Sequence, residues 1–244
     1  MKFPSWSAAP VAAVATVLLV AACGPGSSSS ATGTISASAG VSTPTAQAPV
    51  GKPPANLAKL VNSAVAKATS VHLAASVAQG GKQVSMSVSM TPSGGMYGQM
   101  SLGSAALVIL VTQGHTYLKI TKSALQSQGL PAAACVLMCG KYLELTHRQS
   151  RQTLAGTSWS SYLGTSGSVP VLTYVTTVTV NGQPAWEMRG PGGETIDVAA
   201  QGPPYPLRIT KGGNHLDFSQ WNTATIPPPP PASEVVSLSQ LSHL

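Results

Sequence analysis

The chain has 244 residues, and only 8% of them are charged, against about a quarter in an ordinary soluble protein. The net charge is +7, yet the Lys and Arg residues are scattered and no aromatics interleave with a basic run, so a nucleic-acid groove is not expected. With so few charges the surface must rely on Ser, Thr, Gln and Asn.

The chain opens on Lys2 and an apolar run, Val11 to Ala22. The run is too short to span a bilayer, which needs about 20 apolar residues. One positive charge, a short apolar run and small residues at its end form the layout of an export signal. Val20-Ala21-Ala22-Cys23 then places a cysteine directly after small residues. This resembles a bacterial lipobox, in which residues 1–22 are cut away between Ala22 and Cys23 and the cysteine receives a diacylglyceryl thioether. An ordinary signal cut nearby, with a chance cysteine, is the alternative. The Gly/Pro/Ser run from Gly24 to Ser30 has the composition of a flexible tether and favours the lipobox. Residues 23–53 read as a lipidated N-terminus and stalk, too polar and small to offset their ordering entropy. The location expected is the extracytoplasmic face of the cell membrane, held by lipid. Loss of Lys2 leaves a charge of +6 (12 minus 6), which fits a weak attraction to anionic headgroups.

Roughly 170 residues, 54–226, remain for one domain, enough for a real core. Pro53-Pro54-Ala55-Asn56 opens a helix in which Leu57, Leu60, Val61, Ala64, Val65 and Ala68 form the apolar stripe, with Asn56 as N-cap. From Val71 the period falls to two. In Gln83–Thr91, Val84, Met86, Val88 and Met90 alternate with Ser85, Ser87 and Ser89, as in a half-buried antiparallel strand. Met96–Leu102 and His115–Ile120 are further strands. Leu107–Val111 is unbroken apolar, so both its faces should be covered. Lys122–Gln128 is expected to be a short helix, Lys141–Leu145 a strand, and Thr146–Leu154 a polar helix or loop.

Cys135 and Cys139 are left after Cys23 is assigned to lipid. Outside the cytoplasm two such cysteines usually pair, and one turn would bring them to disulfide distance. Free thiols and a metal or redox centre are the alternatives; a structural zinc site needs four ligands, and no other His or Cys lies near until His147. Hairpins then return: Val171–Val180, the Asn181-Gly182 turn, Pro184–Arg189, Thr195–Ala199, Leu207–Lys211 and Leu216–Phe218. Pro227–Pro231 is a stiff polyproline run. It opens a Pro-rich tail, 227–244, whose part from Ser233 either adds a strand or lies free. About nine or ten antiparallel strands in sequential hairpins must curl or close, with helices over the hollow.

No catalytic chemistry emerges. A Gly-x-Ser-x-Gly elbow is missing. The carboxylates Glu144, Glu187, Glu194, Asp197, Asp217 and Glu234 sit apart on strands that look solvent-facing, and the histidines lack metal spacing. No enzyme activity, cofactor or metal is expected. His72 and His115 read as ordinary residues and Trp159, Trp186 and Trp221 as packing, while Tyr174 and Tyr205 could line a mouth.

A lipobox, a Ser/Thr/Pro stalk, an N-terminal helix and a Ser-Val-His-Leu strand open the chain. Pro203-Pro204-Tyr205-Pro206-Leu207-Arg208-Ile209 and Leu216-Asp217-Phe218-Ser219-Gln220-Trp221-Asn222 close it. Together they resemble the actinobacterial LppX/LprG type of lipoprotein, related in fold to the LolA and LolB carriers. The resemblance implies an α+β fold, a curved antiparallel half-barrel with helices covering its concave face. It also implies an apolar cavity and the carriage of lipid or lipoglycan acyl chains. Met86, Val88, Met90, Met96, Met100, Val108 and Leu110 are the candidate cavity wall, since methionine suits adaptable apolar surfaces; plain core filling is the other reading. A monomer is expected, with an envelope transporter or acceptor protein as partner. The alternative function is a non-catalytic structural or interaction lipoprotein with a filled core.

Overall fold

Alternating residues dominate from Val71 onward, and they pair into a single sheet. The computed structural model describes residues 51–79, 82–102, 105–122, 135, 139–163 and 172–237. The leader with Ala22, Cys23, the stalk to residue 50, most of Lys122–Gln128 and the last seven residues lie outside these. The helix α1 (Leu57–Lys67) precedes β1 (Val71–Gln79), β2 (Lys82–Met90), β3 (Met96–Leu102), β4 (Ala105–Thr112), β5 (His115–Ile120) and β6 (Tyr142–Glu144). Helices α2 (His147–Thr153) and α3 (Trp159–Leu163) follow. Then come β7 (Thr173–Val180), β8 (Gln183–Arg189), β9 (Thr195–Ala199), β10 (Pro206–Lys211), β11 (Asn214–Ser219) and β12 (Val235–Ser237).

The strand order is β12-β6-β5-β4-β3-β2-β1-β11-β10-β9-β8-β7. Two meanders, β1–β6 and β7–β11, meet where β1 pairs β11 with Leu73 opposite Phe218. All neighbours are antiparallel except β12, which runs parallel to β6. Among the described residues there are twelve strands, where nine or ten were expected. The tail supplies one of them, so the sheet extends beyond residue 226. The sheet is curved and unclosed. Asn181 (φ 49°) and Gly182 (φ 80°) make the β7–β8 turn, as a two-residue hairpin with left-handed residues requires.

This order explains the helices. Strands β6 and β7 lie ten strand positions apart, roughly 48 Å at about 4.8 Å per strand. The chain between them must therefore cross a face of the sheet, and it crosses where the apolar side chains point. Leu154, Trp159, Tyr162 and Leu163 from this crossing pack on the core cluster, as do Leu57, Val61 and Val65 of α1. Asn56 occupies the N-cap position of α1, but its side chain makes no capping bond, a correction to its expected role. Thr146 caps α2 in a capping box with Gln149, which resolves the polar segment 146–154 as a helix.

Candidate functional site

The register decides what faces the helices. Across β1, β2, β3 and β4 one row runs Ala75, Met86, Met100, Leu107, and the next runs Leu73, Val88, Gly98, Ile109. A third runs Val71, Met90, Met96, Val111. Leu118 of β5 faces Ile109. All of these except Gly98 belong to the single large apolar cluster that the helices cover. Val88, Met90, Met96 and Met100 are buried within it, and Met86 is half-buried at its margin.

Five of the seven candidate wall residues therefore share the concave face. Val108 and Leu110 do not, and this corrects their expected placement. Side chains alternate along a strand, and Leu107, Ile109 and Val111 take the inward positions of β4. Leu110 instead sits between Tyr97 and Tyr117 on the outer face. The uniform run Leu107–Val111 gave no sign of which parity was inward. Cover on both its faces is complete only at the centre: Ile109 and Leu110 are buried, while Leu107, Val108 and Val111 are half-buried.

The two halves of the concave face differ. Among the described residues the inward rows of β1–β5 carry Val, Leu, Ile, Ala and Met, with Gly98 and Thr116, and no aromatic ring. Gly98 is required by a close approach: a Cβ there would lie 2.1 Å from the Ser87 carbonyl oxygen and 2.5 Å from Val88 Cα. A phenol from the crossing chain reaches this half, as Tyr162 Oη donates to Met86 Sδ at 3.6 Å. Burial raises the Tyr162 pKa, so the phenol stays neutral. Spacing alone gave no signal for Tyr162, because its helix has only five residues.

The aromatics collect on the other half. Trp221 stacks on Tyr205 with centroids 4.5 Å apart, lies 6.0 Å from Phe218, and meets Trp159 edge-on at 6.4 Å. Its indole Nε1 donates to the Pro206 carbonyl at 3.0 Å. Asn222, at φ 62°, donates from Nδ2 to Tyr205 Oη and accepts the Thr69 amide at Oδ1, both at 2.8 Å. The two terminal motifs of the sequence thus form one packed lock around Trp221. Tyr205 belongs to that lock, and Tyr174 packs at the edge of the cluster. Trp186 also packs there, and its Nε1 donates to the Gly51 carbonyl at 2.7 Å, so the lead-in to the domain is fastened on the concave side.

Polar groups gather on the outer face. Glu187, Asp197, Arg208 and Asp217 follow one another across β8–β11. Arg208 donates from Nε and Nη2 to the two Asp217 oxygens at 2.5 and 3.1 Å. Asp197 is only 6% exposed, and its Oδ1 makes no hydrogen bond. Burial, then the Glu187 carboxylate, raises its pKa to about 6 against the pull of Arg208. Glu194 is 2% exposed, its carboxylate folded into the turn of Gly190 and Gly192, where a Cβ would come within 2.4 Å of its oxygens. Solvent-facing carboxylates were expected at both positions. Asp197 is buried between Glu187 and Arg208 on the neighbouring strands, on the face that also holds the apolar cluster of Ala185, Ala199 and Leu207. Burial at Glu194 comes from the glycine turn, with Lys211 Nζ at 3.9 Å. His72 bridges Ser87 and Ser89 at 3.1 Å each and has its pKa lowered by burial, while His115 pairs with Glu144 at 2.7 Å. Among the described residues no group of three His, Cys, Asp or Glu could hold a metal, and no helix is long and apolar enough to cross a membrane. Cys135 and Cys139 are joined, with Cα atoms 4.6 Å apart.

No family model matches the chain, and no curated protein is significantly similar to it. Solved structures do resemble it. The lipoprotein LppX of Mycobacterium tuberculosis is 18% identical over 71% of this chain and 98% of its own, with a TM-score of 0.41. The MucA/MucB complex of Pseudomonas aeruginosa is 13% identical over 71% and 58%, with a TM-score of 0.32. A LolA superfamily protein of Nitrosomonas europaea is 10% identical over 70% and 94%, at 0.26. This chain's own fold is an unclosed, mostly antiparallel sheet of two meanders joined through β1 and β11, with helices laid across one face.

Proposed function

We propose that the protein is a membrane-anchored lipid-binding or carrier protein that shelters acyl chains between the methionine half of its sheet and the crossing helices. The anchor is the thioether on Cys23, formed after cleavage behind Ala22, and it holds the domain on the extracytoplasmic face of the membrane. The observation that carries the reading is the ring-free inward surface of β1–β5. Four methionines stand there in adjacent strands, and flexible thioether side chains can yield to an inserted chain where packed rings cannot. Each Å² of apolar surface taken out of water contributes about 25 cal/mol, so no catalytic group is needed for the work. Lipid or lipoglycan is the ligand class, and a transporter or acceptor protein of the envelope is the partner.

The test is binding of a fluorescent long-chain fatty acid to the full chain and to Met86→Trp and Met100→Trp variants that place rings in the ring-free half. Binding should weaken by about tenfold or more, equivalent to about 1.4 kcal/mol. Unchanged affinity in both variants would remove the methionine half from the site. Separately, Cys23→Ala should abolish incorporation of labelled fatty acid. Continued labelling would end the lipobox reading.

A further inference from the structure

We infer that the helical side of the domain is a docking surface for an anionic bilayer, so that the sheet's hollow faces the membrane. The inference rests on the separation of charge across the sheet. The helices and the lead-in carry Lys52, Lys59, Lys67, Arg148 and Arg151, all exposed. No Asp or Glu occurs before Glu144 or between it and Glu187, so neither this lead-in nor any of the three helices holds a negative charge. None of the five cations has an ion-pair partner among the described residues.

The carboxylates sit elsewhere. Glu144, Glu187, Asp197 and Asp217 project from the outer face, as neighbours in sequence of the inward residues Leu143, Met188, Ile196 and Phe218. Glu234 lies at the sheet edge just before β12, close enough to act on Tyr142, and Glu194 closes a turn. The outer face carries cations of its own, of which Arg208 is bound to Asp217 and Lys119 stands over the Tyr142 ring. Outside the five, the chain after Lys2 holds seven cations against six carboxylates (12 minus 5, against 6), whereas the helical side carries five positive charges with no carboxylate.

Two further features point the same way. Leu60 is 39% exposed on α1, beside Lys59 and on the stripe of Ser63 and Lys67, which gives an apolar contact between two cations. Gly51 is fastened to Trp186 on the concave side, so the segment that leads back to Cys23 departs from the cationic side. Each cation at an anionic surface strengthens binding by about fivefold. Five acting together select one orientation of an anchored domain. This docking does not require a lipid in the interior, so its outcome is independent of acyl-chain binding.

The experiment uses the full chain reconstituted into vesicles whose headgroups carry a nitroxide quencher. One fluorophore is placed through Ser63→Cys on α1 and another, in a second protein, through Gln99→Cys on the outer face. With phosphatidylglycerol present, the Ser63 label should be quenched far more strongly than the Gln99 label. The difference should vanish in pure phosphatidylcholine and in about 1 M salt, where the Debye length is about 3 Å. Lys59→Gln with Lys67→Gln should lower the preference by about 25-fold, and adding Arg148→Gln with Arg151→Gln should abolish it. All four side chains are exposed, and unchanged thermal melts verify that the fold survives. Equal quenching of the two labels, or quenching at Ser63 that ignores both phosphatidylglycerol and salt, would overturn the inference.

Discussion

Replacing Asp197 by Asn should change how stability depends on pH, and the direction follows from where the group sits. Asp197 is buried on the outer face between Glu187 and Arg208, with Asp217 one strand further on. Its pKa stands near 6 in the fold, against an ordinary 3.8. The folded state therefore holds this proton more tightly than the unfolded chain. Stability from this group is full below about pH 4 and is lost as pH rises to about 6. At about 1.4 kcal/mol per pH unit, the gap of about 2 units makes the charged form worth about 3 kcal/mol of destabilisation above pH 6. Asn carries no such charge. Any packing difference between Asp and Asn is constant with pH, so the quantity to read is the change in the gap between the two proteins. From pH 4 to pH 8 the variant should gain about 3 kcal/mol on the wild type, or about 6–12 °C in Tm for a domain of this size. Thermal or urea melts at a series of pH values measure it. Two stability curves that stay parallel across this range would refute the reasoning and return Asp197 to an ordinary carboxylate.

Gly98→Ala would push a methyl group into the backbone of β2, so urea unfolding should show a loss of at least about 1–3 kcal/mol; an unchanged midpoint would mean that the strands are not pinched there. Trp221→Ala should cost about 3–5 kcal/mol, because it removes the ring on which Tyr205, Phe218 and Trp159 all rest, whereas a loss below about 1 kcal/mol would show the lock to be peripheral. The unfolded, unreduced protein should show no free thiol from Cys135 and Cys139. Reduction of so short a loop should lower stability by only about 2 kcal/mol, and two titratable thiols before reduction would contradict the pairing.

Where residue type and period agreed, the sequence was a sufficient guide. The alternation of Val84, Met86, Val88 and Met90 with three serines marked the apolar side as the inward one, and Ser89, though buried on the outer side, is satisfied there by His72. The turn at Asn181-Gly182 was equally plain, and so was the stripe of α1 except at Leu60, which was expected within it but stands exposed. Parity was illegible in Leu107–Val111, where every residue is apolar, and the pairing of Gly98 with Ile109 settles it. Asp197 reads as a surface acid because its burial arises in the sheet, between Glu187 of β8 and Arg208 of β10, which no local window brings together. The helix at 147–153 was hidden by its polarity, although Thr146 and Gln149 already spelled a capping box. The edge-to-edge crossing that carries Tyr162 over Met86 follows from strand order alone.

The central claim is that the methionine half of the concave face yields to an acyl chain, which takes the place of some of the protein's own contacts there. Native mass spectrometry of the full chain, purified from its own membranes and compared before and after organic extraction, measures this directly. The account predicts adducts with the masses of acyl lipids, lost on extraction and depleted in Met86→Trp and Met100→Trp. A mass with no lipid beyond the anchor proposed for Cys23, in every preparation, would contradict it and leave the reading of a non-catalytic protein with a filled core.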